Sequence, residues 1–192
     1  MRRLVPRRPK AQRLATLSSG ETSMIEIREE ERCDKAAVRR LNEAAFENGP
    51  GRPLWTNFEP LVTTMYRSSP SIKAPSLGTS MFTPATLDNG GLTGMGLAPM
   101  AVLPSHQRQG IGSLLVRHGL EHLRKTACPF IIVLGHPGYY PRFGFESASY
   151  YKLSSQWDGV PDEAFMIVVF DRNRLPTSGG IARYHGEFDE AM

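Results

Sequence analysis

The stretch from residue 92 to residue 134 constrains this chain more than any other. It opens as an extended segment, residues 92–103, ending in Met100-Ala101-Val102-Leu103-Pro104. A glycine pair, Gly110-Ile111-Gly112, leads into a helical pattern over residues 110–125. Ile111, Leu114, Leu115 and Leu123 lie on or near one face of it, with Arg117, Glu121, Arg124 and Lys125 mostly elsewhere. Phe130-Ile131-Ile132-Val133-Leu134 follows, an unbroken apolar run of strand length, as expected of a strand covered on both faces. Strand, helix and strand in this order form a βαβ unit, so the two strands run parallel.

The flanking segments make the whole sheet mixed and mostly antiparallel. Met81–Leu87 reads as a strand, and Asp88-Asn89-Gly90-Gly91 is a strong hairpin turn into residues 92–103. Residues 24–28 alternate apolar and polar side chains, and residues 145–153 and 164–171 are further strand candidates. Residues 34–47 read as a helix, with Ala37, Val38, Leu41, Ala44 and Ala45 on one face, Asp34 as N-cap and Asn48-Gly49-Pro50 as a stop. The fold class is α/β (α+β).

A chain of 192 residues fits one domain with a sizeable core. No segment approaches the roughly 20 apolar residues of a membrane-spanning helix, so a membrane partner is not expected. Cys33 and Cys128 match no metal-ligand spacing and suggest no disulfide framework, which points to a reducing, cytoplasmic setting and no metal. The net charge of +4 is unevenly spread: residues 1–23 carry six basic side chains against Glu21, a net of +5, which leaves the remainder at −1. The near-neutral remainder argues against a nucleic-acid partner. The arm itself is open to three readings: a tail for nucleic acid or an anionic surface, a transit peptide, or a disordered leader ahead of a domain that begins at Met24.

Residues 49–79 are anomalous. Five prolines (Pro50, Pro53, Pro60, Pro70, Pro75) and four serines interrupt every period, and the composition is that of loop or disorder. So long a structureless stretch is unusual inside a compact domain.

Chemistry points to the glycine pair. Between a strand end and a helix start, glycines let a ligand approach the backbone, and the helix N-terminus offers N–H groups and a positive dipole end to a pyrophosphate. A tight strand-to-helix turn would look similar. The spacing is neither a G-x-G-x-x-G dinucleotide fingerprint nor a P-loop. Val102-Leu103-Pro104-x-x-Gln107-x-x-Gly110-x-Gly112 resembles the acetyl-CoA-binding motif of the GNAT acetyltransferase superfamily. Tyr139-Tyr140-Pro141-Arg142-Phe143-Gly144-Phe145 is similar to that family's later Phe/Tyr-Tyr-x-x-x-Gly-Phe segment, and it too follows a strand. With Pro161–Met166 and Tyr184-His185-x-x-Phe188-Asp189, the likeness runs well over residues 80–190 and weakly over 24–48. It is nearest to a bacterial subgroup of predicted acetyltransferases.

The resemblance implies a GNAT fold with splayed central strands and acetyl-CoA as co-substrate. Met100, Ala101 and Val102 would meet the pantetheine arm. Gln107, Arg108, Gln109, Gly110, Ile111, Gly112 and Ser113 would surround the pyrophosphate. An amine of a small molecule or protein would attack the thioester directly, with the Val102 amide as an oxyanion donor and Tyr140 protonating the departing thiolate. Tyr139 reads as packing, His136 as a candidate base that is more often a turn residue, and Cys128 as inert core. The family's second strand belongs in residues 60–79, where no alternation is evident. This suggests a shifted reading frame or a degenerate segment, which a fresh read of the gene would test. The rival reading is a CoA-binding module with weak or no turnover. The acceptor and the oligomeric state, a homodimer included, stay open.

Overall fold

The computed structural model describes residues 12–14, 25–46, 62–67, 75–89 and 91–189. Among them lie ten strands and two helices. The strands are β1 (Gln12–Leu14), β2 (Ile25–Glu29), β3 (Val62–Arg67), β4 (Ser76–Leu87), β5 (Leu92–Val102), β6 (Phe130–Leu134), β7 (Glu146–Ser147), β8 (Leu153–Ser155), β9 (Phe165–Val169) and β10 (Gly180–Arg183). The helices are α1 (Lys35–Phe46) and α2 (Ile111–Arg124). One sheet holds the order β1-β2-β3-β4-β5-β6-β9-β7, with β10 on β4 and β8 on β10. Pairing is antiparallel except for β5 with β6 and β8 with β10.

The expected βαβ unit is β5-α2-β6, and the hairpin at Asp88–Gly91 joins β4 to β5. Helix α2 packs tightly on β4 because two glycines remove side chains between them. A Cβ on Gly119 would lie 2.2 Å from the Phe82 ring, and one on Gly78 would lie 2.9 Å from Ile111 Cγ2. Helix α1 packs against β4 and β5 and is anchored at its start. The buried Asp34 carboxylate takes two hydrogen bonds from Arg28, at 2.6 and 3.0 Å, and a third from Glu31 N–H at 2.8 Å.

One irregularity opens the sheet. Opposite Ser80 to Phe82 on β4, strand β5 spends an extra residue, with Ala98 and Pro99 both between Leu97 and Met100. Such a bulge bends its strand and strengthens the twist. Among the described residues β5 pairs with β6 only at Met95–Ile131 and Gly96–Ile132, although β5 runs on to Val102 and β6 to Leu134. The two central strands diverge, as expected of splayed strands.

Three expectations are corrected. The loop assigned to residues 49–79 contains β3 and the first four residues of β4; β3 lies between β2 and β4, paired with both, so no edge is exposed there. Val62-Thr63-Thr64-Met65-Tyr66-Arg67 is proline-free and rich in β-formers; its flanking prolines hid it in a composition taken over the whole stretch. The arm, for which a disordered leader was one of three readings, contributes β1 to the sheet at Gln12–Leu14. The strand assigned to residues 145–153 is broken by a 3₁₀ turn, Ala148–Tyr151, ended by Lys152 at φ 57°, which separates β7 from β8. Pro75 apart, the remaining residues of 1–23 and 50–79 lie outside the described residues.

Candidate functional site

A cleft of about 640 Å³ opens where β5 ends, walled by the loop after β5, the first turn of α2 and the turn at residues 139–142. Backbone dihedrals shape it. Arg108 and Gly110 adopt left-handed φ values of 58° and 86°, a conformation that costs energy for arginine and none for glycine. Gly110 therefore caps α2 without a side chain, and Leu114 N–H bonds Gly110 O at 3.0 Å. The N–H groups of Ile111, Gly112 and Ser113 precede that first helical bond, so helix geometry gives them no acceptor. All three residues line the cleft, with His106, Arg108 and Arg142 adding side chains at its margin. The result is a donor-rich, positive wall fitted to a diphosphate.

The expected cofactor residues divide by role. Met100, Val102, Gln107, Arg108, Gly110, Ile111, Gly112 and Ser113 line the cleft. Gln107 turns its amide back to donate to Val102 O at 3.1 Å, which ties the loop to the strand end. Gln109 is not a lining residue; it donates to Ser105 O at 3.3 Å and braces the same loop. The Ala101 side chain is buried in the core, and only its backbone is available to an extended ligand arm. Beyond Gly96 that backbone edge has no pairing to β6, so it can accept an added strand.

Tyr139, read from sequence as packing, lines the cleft. Its hydroxyl is 3.5 Å from Ser113 Oγ, and a Cβ on Gly112 would come within 2.9 Å of it. Tyr140 is set deeper, 8% exposed and outside the lining. Its ring meets Tyr139 and Phe145 edge-on, at 5.1 and 5.7 Å, and fills the space left by the missing side chain of Gly135. Burial, with a smaller contribution from Tyr139, pushes its phenol up to about 12. His136 is exposed, and its Nδ1 accepts from Gly138 N–H within the turn. The Cys128 thiol donates to Phe130 O, and burial raises its pKa, which suits core and not a nucleophile.

One residue of this region was missed in the sequence. Tyr184 follows β10 and is buried. Its ring lies over Gly96 of β5, where a Cβ would be 2.5 Å from Cε1, and its hydroxyl accepts from Leu134 N–H of β6 at 2.9 Å. It therefore spans the gap between the diverging strands. Trp157 stacks on it at 5.5 Å, and Gln156 Oε1 accepts from its backbone N–H. The only signal in the sequence was its place in the Tyr184-His185-x-x-Phe188-Asp189 segment.

Comparison with known proteins agrees with this geometry. The family model for the acetyltransferase (GNAT) domain matches residues 78–147, which hold the cleft. The uncharacterized N-acetyltransferase YhbS of Escherichia coli (strain K12) is 32% identical over 113 residues, covering 59% of this chain and 67% of that protein. The uncharacterized N-acetyltransferase YjhQ of the same strain is 56% identical over 50 residues, 26% of this chain and 28% of that protein. The crystal structure of YhbS in complex with CoA superposes with a TM-score of 0.76 and 24% identity over 96% of both chains, a likeness of fold. A GNAT acetyltransferase from Brucella melitensis in complex with acetyl-CoA gives a TM-score of 0.68 and 28% identity, over 87% of this chain and 99% of that one. Splayed strands, a glycine-capped helix between them and these relatives all agree: the chain belongs to the GNAT family of N-acetyltransferases.

Proposed function

We propose that the protein transfers an acetyl group from acetyl-CoA to an amine of a small molecule or protein, by direct attack of the amine on the thioester. The observation that carries this reading is the first turn of α2, Ile111 to Ser113, which has no side-chain cap and faces a cleft that continues along the free edge of β5. The diphosphate of CoA would take the amides of that turn, and the pantetheine arm would pair with the backbone of Met100 to Val102. The relatives solved with CoA and with acetyl-CoA support the same donor. No covalent enzyme intermediate is required, so catalysis rests on positioning and on donors such as the Val102 amide.

Tyr140 is the proposed acid for the departing thiolate. With its pKa pushed up to about 12 the phenol keeps its proton at neutral pH, as an acid must. The same burial favours the rival reading, a CoA-binding module with little turnover, because a phenol that weak protonates an ordinary thiolate uphill. Tyr139 stands with Ser113 on the diphosphate side and is assigned to binding. The two free cysteines fit a reducing, cytoplasmic setting. Among the described residues no helix is long and apolar enough to cross a membrane.

Calorimetry with acetyl-CoA, followed by a panel of amines monitored through free thiol, tests both readings. Tyr140→Phe should bind acetyl-CoA like the parent and lose roughly 10²-fold in transfer rate. Unchanged transfer would remove Tyr140 from the chemistry. Binding without thiol release from any amine would leave the module reading.

A further inference from the structure

The donor cleft does not end at Tyr139. Arg142 lines it and also lines a shallower depression of about 230 Å³, whose other walls include Arg117, Arg124 and Glu121. Each of the three guanidinium groups is carried over an aromatic ring: Arg142 at 4.9 Å from the Tyr139 centroid, Arg117 at 5.7 Å from Phe143 and Arg124 at 5.0 Å from Phe170. None makes an ion pair among the described residues, although Glu121 is one helical turn from both Arg117 and Arg124. One N–H of Arg142 donates to Gly138 O at 3.0 Å. Stacking restrains a guanidinium, and the N–H groups that remain match the oxygens of a phosphate. Three restrained cations against one carboxylate leave the depression with an excess of positive charge.

Its position narrows the ligand. Ser113 and Arg117 are four residues apart on α2, about 6 Å along the helix axis. A diphosphate on the first turn of α2, with its pantetheine arm running along β5, has its nucleoside leaving on the other side, past Tyr139 and Arg142. The next phosphate there is a monoester, one ribose away. We infer that Arg117, Arg124 and Arg142 form a phosphate-monoester subsite that recognises the 3′-phosphate of CoA and so distinguishes CoA from dephospho-CoA. The inference rests on the acyl-donor reading above.

Calorimetric titration with CoA and with dephospho-CoA at one fixed ionic strength tests it. The parent protein should bind CoA about tenfold or more tightly than dephospho-CoA. The Arg117→Gln/Arg124→Gln double variant should bind CoA as weakly as dephospho-CoA, with dephospho-CoA affinity unchanged, which also reports that the fold is intact. Glu121→Gln should widen the preference for CoA. Equal affinities in the parent, or a preference that survives the double variant, would overturn the subsite and leave the acyl-donor reading standing. Binding of inorganic phosphate abolished by the double variant, with no preference between the two nucleotides, would also overturn it, as an anion site for some other ligand. If neither nucleotide bound, both readings would fall together.

Discussion

At Gly112 one methyl group is enough to disturb the cleft. An added Cβ would lie 2.9 Å from Tyr139 Oη, the far end of a side chain that has to swing away. Gly112→Ala should leave thermal stability near its parent value and weaken acetyl-CoA binding by about tenfold, or 1.4 kcal/mol by calorimetry. The same change at Gly119 has the opposite signature. There the new Cβ would lie 2.2 Å from a fully buried Phe82 ring. Overpacking of this kind costs about 1–3 kcal/mol, partly offset by roughly 1 kcal/mol of helix propensity, so Gly119→Ala should lower the denaturant midpoint. His118 carries a pH prediction. Burial, then the neighbouring His122, lowers its pKa below 6.5, and its Nδ1 is buried without a partner. The unfolded chain then binds the proton more readily than the folded one, so His118 withdraws stability as pH falls through 6.5. Melting temperature should drop between pH 7 and pH 5.5, and His118→Gln should flatten that slope.

Among the elements, α1 depends most on one contact. Asp34 is 1% exposed and accepts from both Arg28 and the Glu31 backbone. Removing the carboxylate strips three donors of their acceptor, while half-buried Arg28 keeps Glu26 at 3.8 Å and Glu29 O at 2.7 Å, so the cost should be about 1–3 kcal/mol. Asp34→Ala should show that loss in urea melts, and Asp34→Asn a smaller one. The elements were unequally legible in the sequence. The βαβ unit was readable because its signals are local and strong: an all-apolar strand, an amphipathic helix and a glycine start. The loop into α2 was readable for the same reason, since a left-handed turn and a helix start without a side-chain cap favour glycine at fixed spacing. Strand β3 was not, because six strand-forming residues stand among prolines and acquire their role only by pairing with both β2 and β4. Strand β10 was missed because Gly180-Ile181-Ala182-Arg183 has almost no pattern of its own, and its ladder is supplied by β4 and β8. The Gln109 side chain turns back to Ser105 and Tyr139 lines the cleft, because a motif names positions and leaves open which way a side chain turns.

For the whole molecule the decisive contact is Tyr184 between β5 and β6. Diverging strands leave the Leu134 N–H without a neighbour on that side, and the Tyr184 hydroxyl supplies one. Tyr184→Phe keeps the ring over Gly96 and removes the acceptor, which should cost about 1–3 kcal/mol and speed hydrogen exchange at Leu134. Tyr184→Ala also leaves a cavity, and its cost should rise to about 3–5 kcal/mol. The lateness of this residue in the chain has a kinetic side. Strand β10 reaches β4 across a long loop, with Arg183 and the Asp88 carboxylate it binds 95 residues apart. Contacts of such sequence separation form slowly, because the chain entropy of closing the loop is lost before any contact compensates for it. During synthesis the donor half of the cleft emerges first, with the gap between its central strands still empty. A nascent chain would therefore carry a nearly finished glycine loop and helix start on a sheet that is not yet closed.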